Sequence, residues 1–193
     1  FDTVTKLPNA ELFKQDITSY IEKIKNNVAD FKSSLVLIKM KNLKSFQSFY
    51  GKLIGDEIII KAKERLESLI DPRKTTLYYV GDATFAFGIE GLDDYEETIT
   101  LCKTLTEEFK RPIVIDSNIL ILDLIFSIYN LDLQTFTNED PVVIYEGLIK
   151  LLQKVELSST TNMETYTLAI ERFISSQEVL EQDLRNALDN NEF

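Results

Sequence analysis

A β-hairpin signature at residues 79–87 constrains the fold of this chain more than any other feature. Two short apolar, alternating runs meet there at Gly81 and Asp82. Such runs on either side of a Gly-Asp pair predict two antiparallel strands joined by a tight turn. We expect the strands at about residues 76–80 and 84–89.

Helical and strand patterns alternate along the rest of the chain. Apolar residues at helical spacing predict five helices, at about residues 7–27, 55–69, 93–110, 141–155 and 175–190. The last of these is strongly acidic. Short apolar runs predict further strands, at residues 35–38, 113–115, 119–129 and 165–170, the middle two forming a second hairpin. One central sheet covered by helices is the natural packing for such an order.

The composition excludes several classes of function. The net charge of −11 and the pI near 4.6 argue against a nucleic-acid groove or an anionic membrane surface as partner. The chain has no histidine, which excludes Ser-His and Cys-His catalysis and His-ligated zinc. Its one cysteine, Cys102, rules out a disulfide scaffold and fits a reducing cytoplasm. The chain opens at Phe1 without a signal peptide, so we expect it to be a cytoplasmic piece of a longer protein. That longer protein could be anchored in a membrane, with this piece as its cytoplasmic part.

Several motifs in a fixed order make the sequence similar to one known family. They are Asp-Thr-Val-Thr-Lys-Leu-Pro-Asn at 2–9, Lys-Met-Lys-Asn-Leu-Lys at 39–44, Gln-Ser-Phe-Tyr-Gly-Lys at 47–52, Gly-Asp at 55–56, the hairpin at 81–85 and Ser-Ile-Tyr at 127–129. In this order and spacing they resemble the motifs of GGDEF domains, the diguanylate cyclase family, over residues 2 to about 170.

The resemblance implies a fold class and a domain division. The fold would be an α/β protein of the α+β sandwich type, with a central mixed, mostly antiparallel sheet of about five strands flanked by helices. This is the nucleotide-cyclase-like fold of GGDEF domains, with an extra β-hairpin and a C-terminal linker helix. Residues 1–170 would form the domain, and residues 171–193 the linker.

The sequence departs from the family at the positions that carry its chemistry. Gly-Asp-Ala-Thr-Phe at 81–85 stands where the family has Gly-Gly-Asp-Glu-Phe, whose acidic residues bind metal and help to activate the 3′-hydroxyl of GTP. Those two positions are Ala83 and Thr84. Lys39 corresponds to the first metal-binding aspartate, so a fixed positive charge replaces an anionic ligand. The resemblance therefore implies a degenerate cyclase domain without catalytic residues, metal or cofactor.

The family's other sites are also altered. Gln47 replaces the asparagine that binds guanine, whereas Asp56 keeps the second base-contacting position. Pro72 and Thr75 occupy the positions of the Arg-x-x-Asp product-inhibition site, so no inhibitory site is expected.

A vestigial nucleotide site is the second hypothesis. Asp56 would accept hydrogen bonds from guanine, while Lys39 and Lys41 would pair with phosphate in place of a metal. The simpler interpretation of both lysines is that they are polar residues at a strand end. The candidate nucleotide-binding residues are Lys39, Lys41, Gln47, Asp56, Gly81 and Asp82.

The C-terminal segment resembles the start of a second family. Residues 180–188, Leu-Glu-Gln-Asp-Leu-Arg-Asn-Ala-Leu, and then Glu192 and Phe193 look like the opening of EAL domains, the cyclic di-GMP phosphodiesterases. An ordinary amphipathic helix would give the same spacing of leucines. The resemblance implies a linker that leads into an EAL domain absent from this chain.

The leading functional hypothesis is a regulatory one. The chain would be a catalytically inactive GGDEF domain that transmits signals in bacterial cyclic di-GMP signalling, with the adjacent EAL domain, upstream sensory segments, a homodimer or another protein as partner. The alternative is a GTP sensor that controls the EAL domain. The aromatic residues are interpreted as core and sheet residues rather than a binding cage, namely Phe46, Phe49, Tyr50, Tyr78, Tyr79, Phe85 and Phe87.

Overall fold

The computed structural model describes residues 1–26, 31–132, 140–167 and 179. The helices in these residues are α1 (Ala10–Lys25), α2 (Leu43–Tyr50), α3 (Lys52–Leu69), α4 (Glu96–Phe109) and α5 (Pro141–Leu157). The strands are β1 (Ser33–Met40), β2 (Thr75–Gly81), β3 (Thr84–Glu90), β4 (Ile113–Ile115), β5 (Asn118–Leu120), β6 (Leu124–Leu131) and β7 (Met163–Thr165). The predicted α/β class is confirmed.

The central sheet has five strands in the order β2-β3-β1-β6-β7. Neighbouring strands are antiparallel except for β6 and β7, which are parallel. The middle strand, β1, is buried along its whole length, as expected for a strand that is covered on both faces. The predicted mixed, mostly antiparallel sheet of about five strands is confirmed, and β4 and β5 form the predicted extra hairpin.

Two hydrophobic clusters lie on opposite faces of this sheet. Val36 and Ile38 of β1 pack into the cluster that α3 and α4 cover. Leu35 and Leu37 point the other way and pack with α1 and α5. This alternation follows from the two-residue period of a strand, so β1 belongs to both halves of the core.

Two of the helices begin at side-chain caps that the sequence supplies. Asn9 accepts a hydrogen bond from the Leu12 backbone N–H at 3.3 Å at the start of α1. Asp140 accepts one from the Val142 N–H at 2.8 Å, and Pro141 occupies the first turn of α5. Asn and Asp are preferred caps because their side-chain oxygens satisfy N–H groups that the helix leaves free. Among the described helices, none is long and apolar enough to cross a bilayer.

Several predicted elements differ from the structure. Helix α1 begins at Ala10 rather than at residue 7, and β1 spans Ser33–Met40 rather than 35–38. The strand expected at 119–129 is divided into β5 and β6, because the Asn42 side chain binds the backbone of Ile121 at 2.8 Å and of Asp123 at 3.2 Å. The last strand lies at Met163–Thr165, earlier than expected, and residues 168–170 fall outside the described part. The helix predicted to begin at residue 55 already begins at Lys52.

The region before that helix also differs from the prediction. It forms a separate short helix, α2, and the two helices meet at Gly51, whose φ of 90° interrupts the helical path. The interpretation of the aromatic residues as core is wrong for Phe49 and Tyr50, which are 87% and 42% exposed. The reason is that α2 is short and buries only Leu43. The predicted C-terminal helix lies outside the described residues except for Val179, which is helical and exposed.

Candidate functional site

The turn between β2 and β3 is the first part of the candidate site. The turn residues are Asp82 and Ala83, one position later than the predicted Gly-Asp pair, and both have positive φ angles, 46° and 59°. Positive φ at both central residues is the geometry of tight hairpin turns, which Asp tolerates better than Ala. Gly81, at φ 91°, precedes the turn. Thr84 follows it and donates its hydroxyl to the Asp82 carbonyl at 3.0 Å.

Lys39 is the centre of the site. It lies near the end of β1, directly opposite Thr84 in the register of the sheet, and is only 8% exposed. Its ammonium donates to Glu156 Oε2 at 2.9 Å and to Asp82 Oδ2 at 3.0 Å. The other oxygen of Asp82 is 3.0 Å from the Lys44 ammonium. Two lysines and two carboxylates therefore form one continuous ion-paired row.

The ionisation of this row follows from its contacts. Burial by itself would lower the pKa of Lys39, but the hydrogen bonds with Glu156 and Asp82 outweigh it, and the pKa is raised above its ordinary value. Burial tends to raise the pKa of Asp82, and the hydrogen bonds from Lys44 and Lys39 lower it below its ordinary value. Both groups are thus held in their charged forms at neutral pH.

A small cavity of about 170 Å³ lies beside the ammonium of Lys39. The turn lines one side of it and α5 lines the other, and its lining includes Lys39, Gly81, Asp82, Thr84, Leu152 and Glu156. Sites for nucleotide-sized ligands are typically about 300–1,000 Å³. The cavity therefore has room for a small ligand fragment only.

The arrangement does not fit a divalent cation. Such ions take several oxygen ligands, and carboxylates are their preferred anionic donors. The buried Ala83 side chain offers no oxygen, and the ammonium of Lys39 already lies between the carboxylates of Asp82 and Glu156. Within the described ranges, no group of three or more His, Cys, Asp or Glu residues is positioned to hold a metal ion.

The structure brings some of the predicted site residues together and leaves others apart. Lys39, Gly81 and Asp82 line the cavity, whereas Lys41 is exposed and lines a separate cleft of about 500 Å³ with Lys110 and the 158–162 loop.

The two candidate guanine-binding residues, Gln47 and Asp56, are half-buried on α2 and α3. They are absent from the lining of the cavity and of the cleft. The Gln47 side chain covers Gly55, where an added Cβ would lie 2.3 Å from Gln47 Cγ. The Gln47 side chain can lie there only because Gly55 has no side chain.

The sequence analysis named neither Lys44 nor Glu156 as a candidate residue of this site, and no motif at all contains Glu156. It lies in the last turn of α5, 117 residues after Lys39. Its local sequence resembles the exposed charges of any amphipathic helix, so no sequence signal marked it. Only the packing of α5 against the sheet brings its carboxylate to the Lys39 ammonium.

The comparisons with known proteins agree with the fold. The chain has the nucleotide-cyclase-like architecture, and the family model described as "Diguanylate cyclase, GGDEF domain" matches residues 1–140. The chain therefore belongs to the GGDEF domain family. It is 29% identical over 122 residues to a protein of Synechocystis sp. described as "Uncharacterized protein sll1895", a match that covers 63% of this chain and 17% of that relative.

Solved structures of GGDEF domains resemble the chain closely in fold. The GGDEF domain of YfiN from Pseudomonas aeruginosa has a TM-score of 0.77 at 14% identity and covers 90% of this chain and 98% of its own. The coiled coil and GGDEF domain of DgcB from Caulobacter crescentus, in complex with c-di-GMP, has a TM-score of 0.71 at 15% identity. That match covers 86% of this chain and 84% of the DgcB chain. The diguanylate cyclase SiaD of P. aeruginosa, in complex with its activator SiaC, has a TM-score of 0.73 at 11% identity. That match covers 86% of this chain and 61% of the SiaD chain. At these identities the likeness shows the fold alone.

Proposed function

We propose that this chain is a catalytically inactive GGDEF domain that serves as a regulatory or protein-interaction module in cyclic di-GMP signalling. The observation that carries the proposal is the environment of Lys39. At the position where the family has a metal-binding aspartate, a buried ammonium is ion-paired with Asp82 and Glu156. Phosphoryl transfer in this family needs a divalent cation there, and the protein's own cation takes that place.

The hairpin supports the same conclusion. Ala83 and Thr84 stand at the positions of the family's acidic pair, and both are buried. Thr84 uses its hydroxyl within the turn, on the Asp82 carbonyl. Because ligand positions act together in metal binding, the losses at Lys39, Ala83 and Thr84 reinforce one another.

The test is a cyclase assay on the whole chain with GTP and either Mg²⁺ or Mn²⁺. We expect no cyclic di-GMP, with an active GGDEF domain assayed in parallel as the positive control. Metal-dependent formation of cyclic di-GMP by the unmodified chain would contradict the proposal.

A matched variant shows whether the frame still accepts the family's ligands. Lys39→Asp, Ala83→Asp and Thr84→Glu together restore three carboxylates. We expect Mg²⁺ to raise the unfolding temperature of this variant, since a ligand that binds the folded state stabilises it. The unmodified chain should show no such increase.

A partner domain is part of the proposal. The C-terminal segment at 175–190 would link this domain to an EAL phosphodiesterase in the cytoplasm, with upstream sensory segments providing the input. The support is the similarity of residues 180–188 to the opening of EAL domains. In the longer protein, deleting residues 1–170 should change the phosphodiesterase activity or its regulation. Unaltered activity, ligand affinity and regulation would contradict this role.

A GTP sensor is the second candidate function, and Lys41 is the observation that favours it. Its side chain is exposed in the cleft of about 500 Å³, which is large enough for a nucleotide. Lys39 is a weaker phosphate ligand in this arrangement, because its ammonium already makes two ion pairs. Phosphate binding would therefore depend mainly on Lys41.

Isothermal titration tests the sensor hypothesis directly. The chain is titrated with GTP in Mg²⁺ and then in EDTA, and with cyclic di-GMP for comparison. Metal-independent binding that is lost in Lys41→Glu and retained in Lys61→Glu would support a sensor. Absence of heat at millimolar GTP under both conditions would contradict it.

A further inference from the structure

The cleft beside Lys41 is formed by three segments, each of which directly follows a different element. Lys41 follows β1, Lys110 follows α4, and the loop at residues 158–162 follows α5. The cleft has a volume of about 500 Å³. Sites for nucleotide-sized ligands are typically about 300–1,000 Å³, so a ligand of that size fits. The sequence patterns indicated only Lys41, because the three segments lie far apart along the chain.

Hydrogen bonds hold the walls of this cleft in place. The Lys41 N–H donates to the Asp123 carbonyl at 2.9 Å, and the Phe126 N–H donates to the Asn162 carbonyl at 2.8 Å. The side-chain amide of Asn162 donates to Thr106 Oγ1 at 3.3 Å, which joins the loop to α4. The cleft is therefore formed without a ligand, as is usual for small-molecule sites.

The cleft presents two ammonium groups and several hydroxyls. Lys41 is exposed and makes no ion pair with any residue that the structure describes. The Lys110 ammonium pairs with Glu107 at 2.6 Å, and the two side chains are 64% and 67% exposed. An exposed pair of this kind contributes little to stability, so an anionic ligand can displace Glu107. Residues 158–161 add the hydroxyls of a Ser-Ser-Thr-Thr run. Lysine and hydroxyl side chains are common partners of phosphate oxygens.

The lining of the cleft is poor in groups that recognise a nucleobase. Bases are read by stacking on aromatic rings and by hydrogen bonds to their edges. The described residues that line the cleft include no aromatic side chain, and the amide nitrogen of Asn162 already donates to Thr106 and to the Leu124 carbonyl. Asp123 is the lining residue whose carboxylate could accept hydrogen bonds from guanine. That carboxylate already accepts one from Asn42 Nδ2 at 3.4 Å, and its charge repels phosphate.

We propose that this cleft binds the phosphate chain of its ligand and does not distinguish the base. Its ligand class is small polyphosphates, which includes any nucleoside triphosphate and inorganic tripolyphosphate. The inference rests on the second candidate function, the GTP sensor, and specifies what that sensor recognises. The net charge of −11 opposes binding only weakly at a distance, because salt screens charges beyond about 8 Å at physiological ionic strength. The two ammonium groups act at contact.

Isothermal titration of the whole chain in EDTA tests the inference, with GTP, ATP, inorganic tripolyphosphate and guanosine as ligands. We expect the first three to have dissociation constants within about threefold of one another, and guanosine not to bind. Lys41→Glu and Lys110→Glu should each weaken the binding of all three by about tenfold or more, the effect of losing one charged hydrogen bond. Lys61→Glu, on α3 and outside the lining of the cleft, is the matched control and should leave the binding unchanged.

Asp123→Asn separates recognition of phosphate from recognition of the base. If the phosphate chain is recognised, removal of the carboxylate removes a repulsion and should strengthen the binding of GTP, ATP and tripolyphosphate alike. If Asp123 binds guanine, the same change should weaken the binding of GTP alone, and that result would overturn the inference.

The remaining outcomes separate the inference from the GTP sensor. A preference for GTP over ATP of about tenfold or more would overturn the inference and leave the sensor in place. Binding of tripolyphosphate without either nucleotide would support the inference and contradict the sensor. No binding of any of the three ligands at millimolar concentration would contradict both. Binding that persists in both Lys41→Glu and Lys110→Glu would place the ligand elsewhere and overturn the inference.

Discussion

Lys39 occupies a position where a lysine is costly unless its charge is compensated, because an ammonium that leaves water loses its hydration. Asp82 and Glu156 supply that compensation, and Lys44 neutralises the remaining oxygen of Asp82. The resulting ion pairs connect β1, the β2–β3 turn and the end of α5. Lys39 is thus a structural contact between three elements.

Lys39→Met tests the contribution of this contact to stability. Met keeps most of the apolar stem and removes the charge, so Asp82 and Glu156 lose their shared partner. We expect the free energy of unfolding in urea to fall by about 1–3 kcal/mol, as for the loss of hydrogen bonds to charged groups. Lys61→Met, which removes an exposed pair with Glu64, should change it by less than about 1 kcal/mol. Equal effects would contradict a special role for Lys39.

The ion pairs of Lys39 also predict that the difference in unfolding free energy between the unmodified chain and Lys39→Met depends on pH. The pKa of Asp82 is lowered in the folded state, so its contribution is present above its unfolded pKa and is lost as the pH falls through the folded value. The pKa of Lys39 is raised, so its contribution is present below its unfolded pKa and is lost as the pH rises through the folded value. The stability difference between the unmodified chain and Lys39→Met should therefore be full at pH 7.

The measurement compares the two unfolding free energies at several pH values. Ordinary Asp and Lys pKa values are about 3.9 and 10.4, so the difference should shrink below about pH 4 and again above about pH 10.5. The charged groups that face Lys39 and Asp82 are Glu156 and Lys44. A difference that stays constant from pH 7 to pH 3 would show that the ion pairs do not stabilise the fold.

At the scale of elements, close packing of α1 on the sheet depends on one glycine of β3. Gly88 has no side chain, and an added Cβ would lie 2.6 Å from both Cε2 and Oη of Tyr20. Tyr20 is 6% exposed, and burial raises the pKa of its hydroxyl. The glycine therefore provides the space in which a buried tyrosine crosses the strand.

Gly88→Ala should weaken this contact between α1 and β3. We expect a loss of about 1–3 kcal/mol in the free energy of unfolding, since the tyrosine ring must move from its packed position. In a Tyr20→Ala background the same change should cost less, because the ring is gone. A double-mutant cycle on urea unfolding measures the difference. Equal costs in both backgrounds would contradict the contact as the cause.

At the scale of the whole molecule, β1 unites the two halves of the core. Leu37 and Ile38 are adjacent and fully buried, yet they belong to clusters on opposite faces of the sheet. If β1 separated from one cluster, the residues of the other cluster would be exposed to solvent as well. The described domain should therefore unfold as one cooperative unit.

Leu37→Ala and Ile38→Ala test this cooperativity. Each should lower the free energy of unfolding by about 2–5 kcal/mol, as for large-to-small changes in a core. In both variants the near-UV and far-UV circular dichroism transitions should still coincide. Two separated transitions in either variant would show that the faces of the sheet unfold independently.

Much of the architecture was predictable because its signals are local. The hydrophobic periodicity of a segment depends only on residues that are close together in the sequence. The hairpin at residues 79–87 and the helices α4 and α5 were therefore placed correctly to within a few residues. Helix α2 was not predicted, because its eight residues are too few to show a sustained helical period. The break after β5 was missed because it depends on Asn42, far away in sequence.

The sequence by itself determined the fold family, through the order and spacing of its motifs, and the central sheet, through its short apolar runs, since both are properties of local sequence. The tertiary structure alone decided where the charge of Lys39 is compensated, because its partner Glu156 lies 117 residues away. It likewise decided that Phe49 faces solvent while Phe85 is buried. Burial and ion pairing depend on which distant segments meet, and no short stretch of sequence contains that information.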